Sequence, residues 1–425
     1  MTFSSRVLLM LVFFGVAFSA FAGGPYLVDT VGTTGVPRTW RNHRVVWYSE
    51  SGDLSNGVNN ETAKVWIESA FAKWRDLTIT NANGDAVTTD DVTIDYGGSV
   101  GVDIDTTNVG SYLSSEPGPS VIIFDKDGSL ISILGLDKTK IVGLTSPTLT
   151  SDDGTQILRG FSIFNGYKLD GAPLSPDPAT AQQLFQATIF HELGHLLNLD
   201  HAQVNDNIAN ACTLGGLCTD GQYIPTMYPE LKTTLQGTPG RDDKIAISSL
   251  YPASVFGTDF CTITGSIVDA AGKPLRGVNV VASRVNDGTS LTRQDARSFI
   301  TGASYPDCSN DSKYFLRGIV PGKSYQVVYE PLNSKYTGPS GFEPLDNPPS
   351  GFETGTVAGP QGETTVSCSE GGQTITMRTE TINTPNPCSL FTAISSGAGG
   401  TNNNGSTDNG DGNSAPSSGG CSLIF

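Results

Sequence analysis

Histidine is scarce in this chain, with four among 425 residues. Basic side chains are few as well. Lys and Arg total 25 against 42 Asp and Glu, for a formal net charge of −17, and no basic cluster interrupts the acidic balance. Nucleic acid and anionic membrane surfaces are therefore poor partners. No cysteine precedes Cys212, and the seven cysteines form no C-x-x-C pair, which excludes a zinc-finger reading. Past the N-terminal segment no apolar run is long enough to cross a bilayer. Charged residues make up only 16% while Gly, Ser, Thr and Asn abound, the composition of a turn-rich protein and not of a disordered acidic one.

The one long apolar run is N-terminal. Arg6 precedes Val7 to Phe18, and Ala20-Phe21-Ala22 has the small-residue pattern of a cleavage site. A signal peptide over residues 1–22 is expected, and with it a secreted or cell-surface protein; the run is short for a membrane anchor. Export makes disulfides expected. Cys212 and Cys218 lie close enough to close a short loop, Cys261, Cys308, Cys368 and Cys388 fall in a later segment, and Cys421 is left alone.

Three of the histidines fall in one segment, HELGHLLNLDH, from His191 to His201. On a helix the i, i+4 pair His191 and His195 projects from one face, with Glu192 beside it. A turn at Asn198, a residue that tolerates the left-handed conformation, brings His201 back as a third ligand. Three neutral imidazoles leave a Zn²⁺ position open, as catalytic sites do. Glu192 is then placed to take a proton from water and deliver it to a leaving amine, which is peptide hydrolysis. A coincidental H-E-x-x-H in a helical core is the bland alternative, and the third histidine weighs against it.

The segment resembles the metzincin pattern H-E-x-x-H-x-x-G-x-x-H, and among metzincins the matrixins most. Asn198 stands where the pattern has Gly, and Ala202 where matrixins usually have Ser. PTMYPE matches the methionine turn of the family, so the resemblance implies Met227 as an apolar floor beneath the histidines. Tyr228 does not match the tyrosine that some metzincins place two residues after the methionine. RDDKIAISSLYP, from Arg241 to Pro252, resembles the closing helix of matrixin catalytic domains, with Asp242 and Asp243 in its first turn. The inhibitory cysteine of matrixin propeptides has no counterpart.

The resemblance implies an α+β catalytic domain over residues 35–252, a twisted mixed sheet with a long active-site helix. RVVWYSE (Arg44 to Glu50), VTIDY (Val92 to Tyr96) and VIIFDKDG (Val121 to Gly128) read as strands, and ILRGFSIF (Ile157 to Phe164) as the edge strand bordering the cleft. ETAKVWIESAFAKWRDL reads as a core-facing helix with Val65, Ile67, Ala70, Phe71 and Trp74 on its buried side. The zinc helix should start at Pro178 with Asp177 as its cap. Asp125 and Asp127 are candidate Ca²⁺ ligands, and an Asp-Gly hairpin turn accounts for the same residues without metal. His43 reads as a surface residue.

From Cys261, CTITGSIVDAAGKPLRGVNVVA and later YFLRGIVPGKSYQVVYE alternate apolar and polar residues about tight turns, as β-hairpins would. These stretches resemble the carboxypeptidase-regulatory-like, transthyretin-like β-sandwich, on Gly265, Asp269, Gly272, Pro274, Leu275, Gly277 and Val278. An all-β sandwich over residues 261–395 is implied, without chemistry of its own. Residues 396–425 read as a Gly/Ser/Asn-rich flexible tail ending in CSLIF. A spacer leading to Cys421 resembles the entry to surface-sorting signals, which would attach the protein to a cell surface; a frayed tail is the other reading. The expected function is a secreted zinc endopeptidase acting on protein or peptide substrates, with an inactive adhesin on the same fold as the alternative.

Overall fold

The computed structural model describes residues 25–27, 37–151, 153–214, 218–286, 290–301, 312–333, 349–386 and 421–424. The segment expected to be a signal peptide, most of the tail, and Cys308 and Cys388 lie outside them. The first part of the chain builds β1 (Thr39–Trp40), β2 (Arg44–Ser49), α1 (Asn60–Lys73), β3 (Thr78–Thr80), β4 (Ala86–Thr88) and β5 (Thr93–Ser99). Next come α2 (Gly110–Leu113), β6 (Ser120–Asp125), α3 (Ser129–Ile133), β7 (Ile141–Thr150), β8 (Gln156–Asn165) and α4 (Tyr167–Asp170). The helices α5 (Pro178–Leu196), α6 (Asp206–Ala211), α7 (Arg241–Leu250) and α8 (Ser254–Asp259) follow.

Strands β5, β2, β6 and β8 lie side by side and parallel, and β7 closes the row antiparallel to β8. A parallel arrangement requires a crossover between strands, and α1 supplies the first, between β2 and β5. Asn59 caps α1 by accepting from the Thr62 amide at 3.0 Å. Ile67, Ala70, Phe71 and Trp74 are buried as their spacing predicts. Val65 is not; it is 60% exposed, because it stands about 200° around the helix from Ile67. Helix α5 packs against α1 and β7, and one large apolar core joins them through Trp74, Leu184, Phe190, Leu193 and Met227.

The sheet corrects the expected cleft border. Ile157–Phe164 is an interior strand, flanked by β6 on one side and β7 on the other, with Ser162 and Ile163 fully buried. Strand β7 lies beyond it, and among the described residues only the C-terminal strand of the chain pairs on its other side. Asp125 and Asp127 also differ from expectation: they form a strand-to-helix turn and no hairpin. Gly128 turns the chain at φ 77°, Asp125 accepts from the Ile131 amide at 2.9 Å, and Asp127 from Ser129 at 3.0 Å. Both carboxylates are used as backbone acceptors at the start of α3, which accounts for them without Ca²⁺.

The second part builds β9 (Cys261–Asp269), β10 (Val278–Asn286), β11 (Ser290–Ile300), β12 (Lys313–Ile319), β13 (Tyr325–Pro331), β14 (Gly355–Thr356), β15 (Thr374–Thr376) and β16 (Glu380–Ile382). One four-stranded sheet runs β11-β10-β13-β14; the other contains β12, β9, β15 and β16. Each alternating pair expected as a hairpin is instead split between sheets, β9 from β10 and β12 from β13. The inward faces then meet across a shared core, Ile263, Ile267, Tyr314 and Leu316 against Val278, Val280, Tyr325 and Val327. Alternation fixes which face is buried but not which strand is the partner. Cys261 is disulfide-bonded to Cys368, and Cys212 to Cys218. The last described strand, β17 (Cys421–Ile424), returns to the first sheet and pairs antiparallel with β7.

Candidate metal centre

Helix α5 begins where Pro178 is tolerated at N1 and the Asp177 carboxylate accepts from Thr180 at 2.8 Å. Its last turns are held from outside. Trp74 donates its indole N–H to the Phe190 carbonyl at 2.9 Å, Trp40 donates to Leu196 at 2.7 Å, and the Tyr251 hydroxyl donates to Leu197 at 2.9 Å. Two carbonyls that a helix end leaves without partners are thereby satisfied.

Asn198 ends the helix in the left-handed conformation, φ 73°. The Leu199 amide reaches back to Gly194 and the Asn198 amide to His195, both at 2.9 Å, which is a Schellman ending with Asn in the position usually held by Gly. The side chain explains the exchange. Its Oδ1 accepts from the Leu27 amide at 2.6 Å, and its Nδ2 donates to the carbonyls of Leu27 at 3.0 Å and Arg38 at 2.7 Å. A glycine would make the same turn and keep the backbone bond from Tyr26 at 2.8 Å, but would lose the side-chain bonds to Leu27 and Arg38.

The turn returns His201 to the helix face. The ligand atoms of His191, His195 and His201 lie within 4.8 Å of one another, the one such group among the described residues. His191 and His195 approach with their Nε2 atoms 3.0 Å apart. Each is oriented through the other nitrogen: Nδ1 of His191 donates to the Thr226 carbonyl at 2.7 Å and Nδ1 of His195 to Leu199 at 2.8 Å. With the proton fixed on Nδ1, each Nε2 presents a lone pair to the centre. Both ring nitrogens of His201 are buried without a hydrogen-bond partner among the described residues. A metal ion among the three imidazoles would satisfy one of these two nitrogens. Burial holds the His191 imidazole down at about 4 and pushes His195 and His201 well below their ordinary values, the neighbouring rings adding to the effect for these two. All three are neutral near pH 7, the form that ligates a metal.

Met227 lies directly beneath Gly194 of the motif, and any side chain at position 194 would run into its sulfur. Its loop is tied from below by Asp243, which accepts from the amides of Thr226 at 2.8 Å, Met227 at 3.0 Å and Gly240 at 2.7 Å. Thus the carboxylate fixes the same residue, Thr226, whose carbonyl orients His191. The neighbouring Asp242 faces the other way and accepts from the Ser298 amide in β11 at 2.7 Å. Glu192 is fully buried and lies against β7: a methyl group added to Gly143 would stand 2.6 Å from Glu192 Cγ. Tyr228 points away and donates to Asp206 at 2.5 Å. His43, partly exposed, is not part of the group and meets Asp91 at 2.7 Å.

Gly143, Asn198 and Asp243 are therefore structural partners of the centre that the motif alone does not announce. Two adjacent carboxylates at the start of an amphipathic helix were the available signal for Asp243, and the Asn in a Gly position was the signal for Asn198.

Comparison with known proteins leaves the chain without an assigned family: no protein-family model matches it, and no curated protein does. Among solved structures it is similar to the dioxygenase domain of a dioxygenase–carbohydrate-binding fusion from Streptomyces sp. SirexAA-E, at 18% identity and TM-score 0.18, covering 31% of this chain and 84% of that one. Mercury-inhibited catechol 1,2-dioxygenase from Acinetobacter sp. ADP1 matches at 14% identity and TM-score 0.14, covering 30% of this chain and 52% of the other. Overlaps so partial and loose carry no argument about chemistry. The chain's own geometry gives the firmer result: a mixed α and β protein whose buried His191, His195 and His201 form a group able to hold a metal ion.

Proposed function

We propose that this protein is a zinc-dependent endopeptidase of metzincin type, resembling the matrixins, exported from the cell and acting on protein or peptide substrates. The observation that carries the reading is the convergence of three neutral imidazoles on one point with the Glu192 carboxylate on the next residue of the same helix. Three nitrogen donors suit zinc and leave a coordination position free. Zinc, when bound, would supply an acidified water and an electrophile for the peptide carbonyl.

The chain's own residues do the rest. Thr226 and Leu199 hold the His191 and His195 rings in the ligating tautomer, Asp243 holds Thr226, and Met227 backs the helix at Gly194. Glu192 moves the proton, first away from the attacking water and then onto the leaving amine. Strand β7, outermost but for the short C-terminal strand β17 and adjacent to Glu192, is the edge along which an extended substrate would be added. It takes over the role expected of Ile157–Phe164. A strand edge open at both ends suits internal peptide segments, hence an endopeptidase. The two four-stranded sheets after Cys261 fit an accessory sandwich domain of the regulatory-like kind. Among the described residues no helix is long and apolar enough to cross a membrane; surface attachment through the tail would be the alternative to free secretion.

Glu192→Ala tests the reading. It removes the proton carrier and keeps every ligand, so hydrolysis of a peptide library should fall by roughly 10²-fold or more while bound zinc, measured by elemental analysis, is unchanged. Turnover near that of the parent protein would refute the mechanism.

A further inference from the structure

The edge assigned to substrate is already paired. Cys421 lies opposite Thr145, Ser422 opposite Leu144 and Ile424 opposite Ile141, antiparallel, with an irregularity between Ser422 and Ile424. The segment straddles Gly143, the residue against which Glu192 is packed. It also runs alongside α5, the helix that carries the histidines. A second observation agrees with this placement: His191, Glu192, His195 and His201 are at most 2% exposed, so nothing from solvent reaches them in this arrangement.

We infer that residues 421–424 are an intramolecular ligand of the β7 edge and keep peptides out of the site until displaced. The inference rests on the peptidase reading for its consequence, though not for the contact itself. The pairing uses backbone groups that an outer strand leaves open, so it requires no special side chain from the occupant. β7 presents IVGLTSPTLT, with no charge to oppose the uncharged CSLI. Attachment through the same chain makes the association intramolecular, with an effective concentration on the order of millimolar. A weak four-residue strand can hold the edge at that concentration, where the free peptide at micromolar concentration would not. A substrate spanning more of β7 than these four residues would make more backbone bonds and displace it. The device would therefore favour long extended substrates over short ones.

The test uses the full chain loaded with zinc and the same chain carrying Ser422→Pro and Leu423→Pro. In an antiparallel pair, alternate residues turn their N–H toward the partner, so one of two adjacent prolines must remove a bonding donor. Hydrogen exchange read by mass spectrometry on residues 141–150 should show protection in the parent and its loss in the variant. Added GGCSLIF peptide at millimolar concentration should restore it. Equal protection in both chains would overturn the contact. In parallel, kcat/KM for a quenched-fluorescent peptide should rise roughly fivefold or more in the variant, and GGCSLIF should inhibit it competitively. Lost protection with unchanged kcat/KM would overturn the blocking role. If neither chain cleaves any peptide in the library, the peptidase reading fails, and the exchange data still decide whether the segment is seated on β7.

Discussion

The two parts of the molecule bury charge in opposite ways. In the first part the buried carboxylates serve mostly as acceptors for main-chain amides of loops: Glu50 holds Ile104 and Phe124, Asp90 holds Leu77, Asp125 holds Ile131, and Asp243 holds Thr226, Met227 and Gly240. Arg159 is its counterpart in sign, donating to the carbonyls of Ser111, Tyr112, Ser114, Glu116 and Pro119. In the second part Asp295 sits instead among cations, paired with Arg297 and flanked by Arg241 and Arg284. The difference has a clear reading: loops of the first part are held by single polar side chains bonded to backbone, whereas Asp295 at the junction between the parts is set against cations.

The largest effect should come from breaking the first device at the metal. Asp243→Ala leaves three buried amides without an acceptor and should cost about 3 kcal/mol or more in chemical denaturation. Zinc affinity should fall with it, by tenfold or more, because Thr226 orients His191. Asp242→Ala, one residue away, should lower stability but leave zinc titration within about twofold of the parent. Equal losses of zinc in both would erase the distinction between the two carboxylates.

Titration sharpens the contrast next. Burial pushes Glu50 from its ordinary range up to about 8, with Asp103 adding to the rise against the two amide bonds. A carboxyl raised on folding stabilises the folded state below the unfolded value, and that contribution disappears as pH climbs toward 8. Asp295 behaves oppositely: burial pushes it up, but Arg297, Arg241 and Arg284 outweigh this and leave it below the usual carboxylate range, so its contribution is lost on acidification. Thermal unfolding followed from pH 5 to 8 should show stability falling on the order of a few kcal/mol, and Glu50→Gln should flatten that slope. A slope unchanged by Glu50→Gln would mean that the carboxyl stays ionised.

A smaller effect is expected at Asn198. Asn198→Gly keeps the left-handed turn and loses the three bonds to Leu27 and Arg38, a cost of roughly 1–2 kcal/mol. Asn198→Ala loses the bonds and strains the turn, and should be about 1 kcal/mol worse. Identical melting temperatures for Asn198→Gly and the parent would show that the anchor contributes nothing.

The metal group was readable in the sequence because helical spacing is local: three ligands and Glu192 lie within eleven consecutive positions, HELGHLLNLDH. Helices α1, α5 and α7 were readable for the same reason, through caps and apolar periodicity. Strand order was not. Ile157–Phe164 reads as an edge from its sequence, yet it is an interior strand with β6 and β7 on its flanks. Pro147 inside Ile141–Thr150 was the available clue, since a proline interrupts ladder bonding and is placed in outer strands. The pairing of β9 with β12 in one sheet, and of β10 with β13 in the other, escaped because alternation reports burial and not neighbours. The reach of Asn198 to Leu27 spans 171 positions and has no local signature.

Asp242 and Asp243 are successive residues whose side chains leave the same helical turn in different directions, one toward Ser298 of β11 and one toward the loop under the histidines. Any rotation or shift of that turn moves both attachments together. The chain after Cys261 is therefore no passive appendage: exchanging it for a foreign domain would change the footing of Met227 and His191, and grafting the first part alone onto another carrier would carry the same liability.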